Sequence, residues 1–188
     1  MATTMNLLAE TVKVASILND LKIPYALVGG LACILLGVRR FTEDIDIILE
    51  INSIDVLKKL YERLRSEGYE VGWSGFYSAF MEKDHYTIIV NGYRIDFKFS
   101  STLLDKESIK RAVEVVLLGV KVKISPLEEN IVAKVVVLSS LKDLEDALWL
   151  MIHHFEDIDW DRIRKLLKNN PIEIIEKMLK RIVEEFPS

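Results

Sequence analysis

Residues 44–49 read Asp-Ile-Asp-Ile-Ile-Leu, and they constrain the fold more than any other stretch of the chain. Strand side chains alternate with a period of two. As a strand, the hexapeptide sets Asp44 and Asp46 on one face and turns Ile45 and Ile47 into a core behind it. Two ionised carboxylates on one strand face repel each other, and burying them unpaired is costly. Something cationic must compensate them. The same Asp-Ile-Asp tripeptide returns at residues 157–159, where no strand pattern surrounds it.

The flanking sequence supports the strand. Leu7 to Leu21 carries apolar residues at helical spacing. Pro24 then blocks helix continuation, and Tyr25-Ala-Leu-Val28 reads as a short buried strand. Gly29-Gly30 turns it into a second, apolar helix that closes near Gly37. After the Asp-Ile-Asp strand, Ser53 caps a helix over 54–67. Strands are expected over 69–73, 85–90 and 93–99, with Asn91-Gly92 marking a tight hairpin. A helix over 105–112 and two strands around Gly119 follow. At Ser125 the texture changes. Ser125, Pro126 and Glu128 suggest a capping box, and only helical patterns follow, over 141–154, 160–168 and 171–185. The expected architecture is therefore an α+β (α/β) domain over residues 1–125, a mixed sheet flanked by helices, followed by a C-terminal helical domain over 126–188.

A third acid joins the first two. In Tyr-Arg-Ile-Asp-Phe-Lys-Phe (93–99), Arg94, Asp96 and Lys98 share one face, and the apolar residues take the other. If that strand lies beside 44–49, three carboxylates converge. Mg2+ suits such a place: it prefers oxygen ligands and is held by one or two carboxylates plus substrate phosphates. The Gly29-Gly30 turn offers free backbone N–H groups and a helix N-terminus, which favour a phosphate, and glycine lets the backbone come close. Neither GxxxxGK[ST] nor GxGxxG occurs.

A strand ending in Gly-Gly, a helix, thirteen intervening residues, then Asp44-Ile45-Asp46-Ile47 and a later third Asp resembles the nucleotidyltransferase superfamily with its polymerase-beta-like fold. The run from Gly29 to Leu49 is similar to the GG…R-x-T-x-D-h-D stretch of the AbiEii-like toxin-type members. Residues 125–150 resemble their downstream helical segment, with Lys134, Lys142, Asp143 and Asp146 at the matching positions. One departure is the stretch Leu-Ser-Ser-Leu-Lys-Asp, where relatives often carry an Arg before the Lys-Asp pair. The resemblance implies transfer of a nucleoside monophosphate from an NTP, ATP included, to an acceptor, with release of pyrophosphate. It implies that Asp44 and Asp46 hold two Mg2+ ions, or Mn2+ in their place, and that Asp96 holds the catalytic one and helps deprotonate the acceptor. Gly29 and Gly30 would bind the triphosphate, with Arg39, Arg40 and Lys134 neutralising it. Thr42 would orient an aspartate or touch phosphate, and Asp143 would complete the nucleotide site.

Plainer readings stand beside these. Arg39-Arg40 suits a solvated helix end, Lys134 a snorkelling side chain and Asp143 with Asp146 a helix start. His153-His154 near Asp157, Asp159 and Asp161 invites a metal site, but adjacent helical histidines point apart, and the second Asp-Ile-Asp reads as a loop with a helix cap. The acceptor stays open among a tRNA end, a protein and a small hydroxylated molecule. The rival function is a catalytically silent, antitoxin-like nucleotide-binding module that engages a partner protein or a second copy. The net charge of −4 argues mildly against non-specific nucleic-acid binding. One cysteine, no signal-like N-terminus and no apolar run long enough to span a bilayer lead to the expectation of a cytoplasmic protein without a membrane partner.

Overall fold

The computed structural model describes residues 2–138 and 140–167; the helix expected over 171–185 lies outside the described residues. The chain divides into two compact units. One comprises Met1–Ala32 and Phe41–Ser125, the other Cys33–Arg40 and Pro126–Ser188. Among the described residues no helix is long and apolar enough to cross a membrane.

The first unit contains, in chain order, α1 (Ala2–Asp20), β1 (Tyr25–Val28), the start of α2 (Gly29–Leu35), β2 (Asp44–Leu49), α3 (Ile54–Ser66), α4 (Trp73–Glu82), β3 (His85–Val90), β4 (Tyr93–Phe99), α5 (Leu103–Lys110), β5 (Val113–Leu117) and β6 (Val120–Ile124). The six strands form one sheet in the order β3-β4-β2-β1-β6-β5. The pairs β2–β4 and β1–β6 are parallel, and the other three are antiparallel. This is the mixed sheet that the alternation of hairpins and helices implies.

The two sheet faces differ because the strands alternate. Ile45, Ile47 and Leu49 on β2 and Tyr93, Ile95, Phe97 and Phe99 on β4 are buried. Phe76 of α4 lies against that face, its ring 5.1 Å from Tyr86, 6.4 Å from Phe97 and 5.6 Å from Phe99. On the opposite face α5 covers one end, where Ile109 packs with Ala26 and Ile48. Asp44, Asp46 and Asp96 lie on this second face, beyond the cover of that apolar cluster.

Both hairpin turns have two residues with positive φ, Asn91 and Gly92 at 51° and 84°, Leu118 and Gly119 at 48° and 83°. This is the type I′ geometry whose twist matches the flanking strands. Asn-Gly adopts it readily, whereas leucine in that region is uncommon.

Three local expectations need correction. The strand expected over 69–73 does not form; Trp73 begins α4, whose Phe76, Ala79 and Phe80 are buried at helical spacing. α5 starts at Leu103 rather than Asp105, because Thr102 caps it and Asp105 completes a capping box as its third residue. The capping box at Ser125 is absent. Pro126 takes the N-cap position of α6 (Leu127–Val132), with no side-chain cap. The Glu128 carboxylate instead accepts from the Asp159 N–H at 3.0 Å.

In the second unit α6 runs into a π-helical segment, Ala133–Leu138, followed by α7 (Leu141–His153) and α8 (Trp160–Leu167). The second Asp-Ile-Asp caps α8: Asp159 Oδ1 accepts from the Arg162 N–H at 2.9 Å. His154 Nε2 lies 2.7 Å from the Leu36 carbonyl oxygen.

Candidate functional site

The register of β2 on β4 assembles the carboxylates. Asp46 is the direct neighbour of Asp96, and Asp44 of Arg94. Parallel partners share a face, so Asp44, Asp46, Arg94 and Asp96 point the same way. The sequence requirement that the two strands lie side by side is met, although residues 50–92 separate them in the chain.

Each acid is positioned by its surroundings. Asp46 also pairs across β1 with Val28, beside the glycine turn. Gly29 has φ +67°, and a Cβ placed on it would collide with the Asp46 carboxylate, lying 2.7 Å from its Cγ. Gly29 therefore serves twice: it takes a backbone conformation that side chains disfavour, and its bare Cα leaves room for Asp46. Gly30, next in α2, is buried. The Thr42 hydroxyl accepts from the Asp44 backbone N–H at 3.2 Å. The Arg94 N–H donates to the Glu43 carbonyl at 3.1 Å, which ties the start of β4 to the start of β2.

Asp96 has a partner on each oxygen. Thr87 of β3 donates its hydroxyl to Oδ1. The Arg94 guanidinium donates to Oδ2 at 3.2 Å, and its Nε stands 4.0 Å from Asp44 Oδ1. Neither Arg94 nor Thr87 was selected on sequence grounds. The period of two already set Arg94 beside Asp96. Counting outward from the Asn91-Gly92 turn would have reached Thr87, the cross-strand partner of Asp96.

The remaining candidates lie in the second unit. Arg39 is exposed. Arg40 pairs with Asp146. Lys134, in the π-helical segment, donates to Asp143 Oδ1 at 2.7 Å and pairs with Asp146 Oδ2 at 2.8 Å. Ser140 donates to the other Asp143 oxygen and, as N-cap of α7, accepts from the Asp143 N–H. Two cations thus meet two carboxylates, and the network is neutral as a whole. Burial favours a neutral Lys134, but the bonds to Asp143 and Asp146 outweigh it and raise its pKa. Asp143 is likewise pulled below the usual carboxylate range, the Lys134 and Ser140 bonds overcoming its desolvation. Nearby Cys33 is fully buried, and burial pushes its thiol up to about 11. Asp146, matched by the resemblance but not selected for the site, is central to this network.

A strand ending in Gly-Gly, a following helix, and acids in register on two neighbouring parallel strands define a nucleotidyltransferase fold. The chain belongs to the family described as "Nucleotidyl transferase of unknown function (DUF2204)", whose model matches residues 7–188. Solved structures share the fold. An antigenic nucleotidyltransferase-like protein from Paracoccidioides brasiliensis aligns with a TM-score of 0.53 at 22% identity, over 78% of this chain and 75% of that one. The antibiotic-resistance factor ANT(2″)-Ia aligns in its solution structure with a TM-score of 0.58 at 15% identity, over 99% and 100%. Its crystal structure in complex with adenylyl-2″-tobramycin gives 0.56 at 14% identity, over 93% and 97%. No curated protein matches the chain significantly.

Proposed function

We propose that the chain is a metal-dependent nucleotidyltransferase in which an acceptor hydroxyl attacks the α-phosphorus of an NTP and pyrophosphate leaves. The observation that carries this reading is the β2–β4 register, which sets Asp46 beside Asp96 with Asp44 on the same face. Among the described residues, no group of three or more His, Cys, Asp or Glu side chains could hold a metal ion as it stands. Mg2+ does not require such a group, because waters and substrate phosphates complete its shell. The donor set fits it: all oxygen, two carboxylates adjacent in register, one of them seated over Gly29 where a side chain would collide. Mn2+ takes similar oxygen ligands.

When bound, the metal would neutralise charge developing on the phosphoryl and leaving oxygens. The chain's own residues do the rest by positioning. Asp44 and Asp46 present ligand oxygens from a strand whose start is fixed by the Thr42 bond. Asp96, held by Thr87 on one oxygen, is the candidate to accept the acceptor's proton. The Gly29-Gly30 backbone is the candidate for the triphosphate tail. Arg40, Lys134 and Asp143 pair within their own network with Asp146.

The experiment is transfer of label from α-phosphate-labelled NTPs, with Mg2+, to separate small-molecule, RNA and protein fractions. ANT(2″)-Ia is seen in complex with adenylyl-2″-tobramycin, so small hydroxylated acceptors are the first class to test. We expect transfer that Asp46→Asn abolishes. The rival, a silent nucleotide-binding module, draws on the Arg94 guanidinium that already occupies the acids. Measurable NTP binding with no labelled product in any fraction would establish it instead.

A further inference from the structure

We propose that Arg94 is a displaceable counter-ion: in the metal-free chain its guanidinium takes the place of the cation, and it leaves when a divalent ion binds. This rests on the reading that Asp44, Asp46 and Asp96 bind such an ion. The geometry is particular. Arg94 is the register partner of Asp44 on the neighbouring strand and lies two residues from Asp96 on the same face. Its side chain spans both acids, 3.2 Å from Asp96 Oδ2 and 4.0 Å from Asp44 Oδ1. Asp96 and Asp44, one acid from each strand, thereby share a single cation from β4.

The two partners of Asp96 are not equivalent. Thr87 is neutral, so its bond to Oδ1 can persist beside a metal. Arg94 is cationic, and a guanidinium within hydrogen-bond range of the same carboxylate repels a divalent ion. Arg94 is also free to go: its side chain is 56% exposed, against 14% for Asp96. Exposed pairs of this kind correspond to about a two- to five-fold effect on an equilibrium constant. That is enough to quiet the acids and too little to exclude a divalent ion. Asp96 is thus engaged on both oxygens, and departure of Arg94 would open one of them.

The test is calorimetric titration of the full chain with Mn2+, comparing wild type with Arg94→Gln. We expect the variant to bind about two- to five-fold tighter, and Arg94→Lys, which keeps the charge, to stay closer to wild type. A second measurement needs no variant to fold differently. The Arg94 Nε–Hε resonance of wild-type protein, followed by NMR during Mg2+ titration, should move from a bound to a solvent-like position. If wild type binds Mn2+ but Arg94→Gln binds no tighter, or the resonance does not move, displacement is wrong while the metal-dependent function stands. If neither protein binds Mn2+, alone or with a non-hydrolysable NTP analogue present to supply phosphate ligands, both fall.

Discussion

A methyl group on Gly29 would meet two obstacles, the positive φ of its backbone and the carboxylate of Asp46. Backbone strain of this sort costs about 1–3 kcal/mol. We therefore expect Gly29→Ala to lower unfolding free energy in urea by about 1–3 kcal/mol. It should also remove nucleotidyl transfer more completely than that loss of stability explains, because Asp46 must move. Cys33 makes a different prediction. Its thiol is buried and its pKa stands near 11, so almost no thiolate exists at pH 8. An aromatic disulfide reagent should leave Cys33 unmodified in native protein and react with it once urea unfolds the chain. Rapid reaction of the native protein would contradict the burial described here.

At the start of α5 one carboxylate joins several demands. Asp105 accepts from the Ser101 and Thr102 N–H groups and from the Lys98 ammonium at 2.7 Å. Burial acts to raise its pKa, but these bonds prevail and hold it below the usual carboxylate range. The folded state therefore binds fewer protons at this group than the unfolded chain does. Its stabilisation is present above the unfolded value of about 4 and is lost as pH falls through the lower folded value. Asp105→Ala should cost about 1–2 kcal/mol at pH 7, with the gap to wild type narrowing at pH 3; urea titrations at both values check it. Elements also show where sequence reading reaches its limit. The Asn91-Gly92 turn, the β2 alternation and the Asp159 cap were legible because each depends on a few adjacent residues. α4 is hidden in the sequence because Gly72 stands just before it and Gly75 in its first turn, and its buried spacing depends on Phe76 and Phe80 meeting Tyr86, Phe97 and Phe99 from other elements.

For the molecule as a whole, the nucleotidyltransferase fold and the strand–Gly-Gly–helix–Asp-x-Asp order that carries it could be read from the chain, since the order is a linear pattern. The site's partners could not. Arg94 bridges acids from two strands, and Lys134, read as a snorkelling or phosphate-binding lysine, lies in a buried four-charge network with Arg40, Asp143 and Asp146. Such contacts arise from tertiary register, which no local period encodes. Removing one member of a buried ionic network leaves a charge uncompensated, at about 3–5 kcal/mol. Lys134→Met should show a loss of that size in chemical denaturation. The parallel pairing of β2 with β4 has a further, kinetic consequence. Everything from Ile47 to Ile95 must be looped out before Asp46 can stand next to Asp96, so no early local structure contains both. A ligand that bridges them finds its binding place only after the long-range pair has closed. Such a ligand would slow the unfolding of the sheet and leave the rate of folding nearly unchanged.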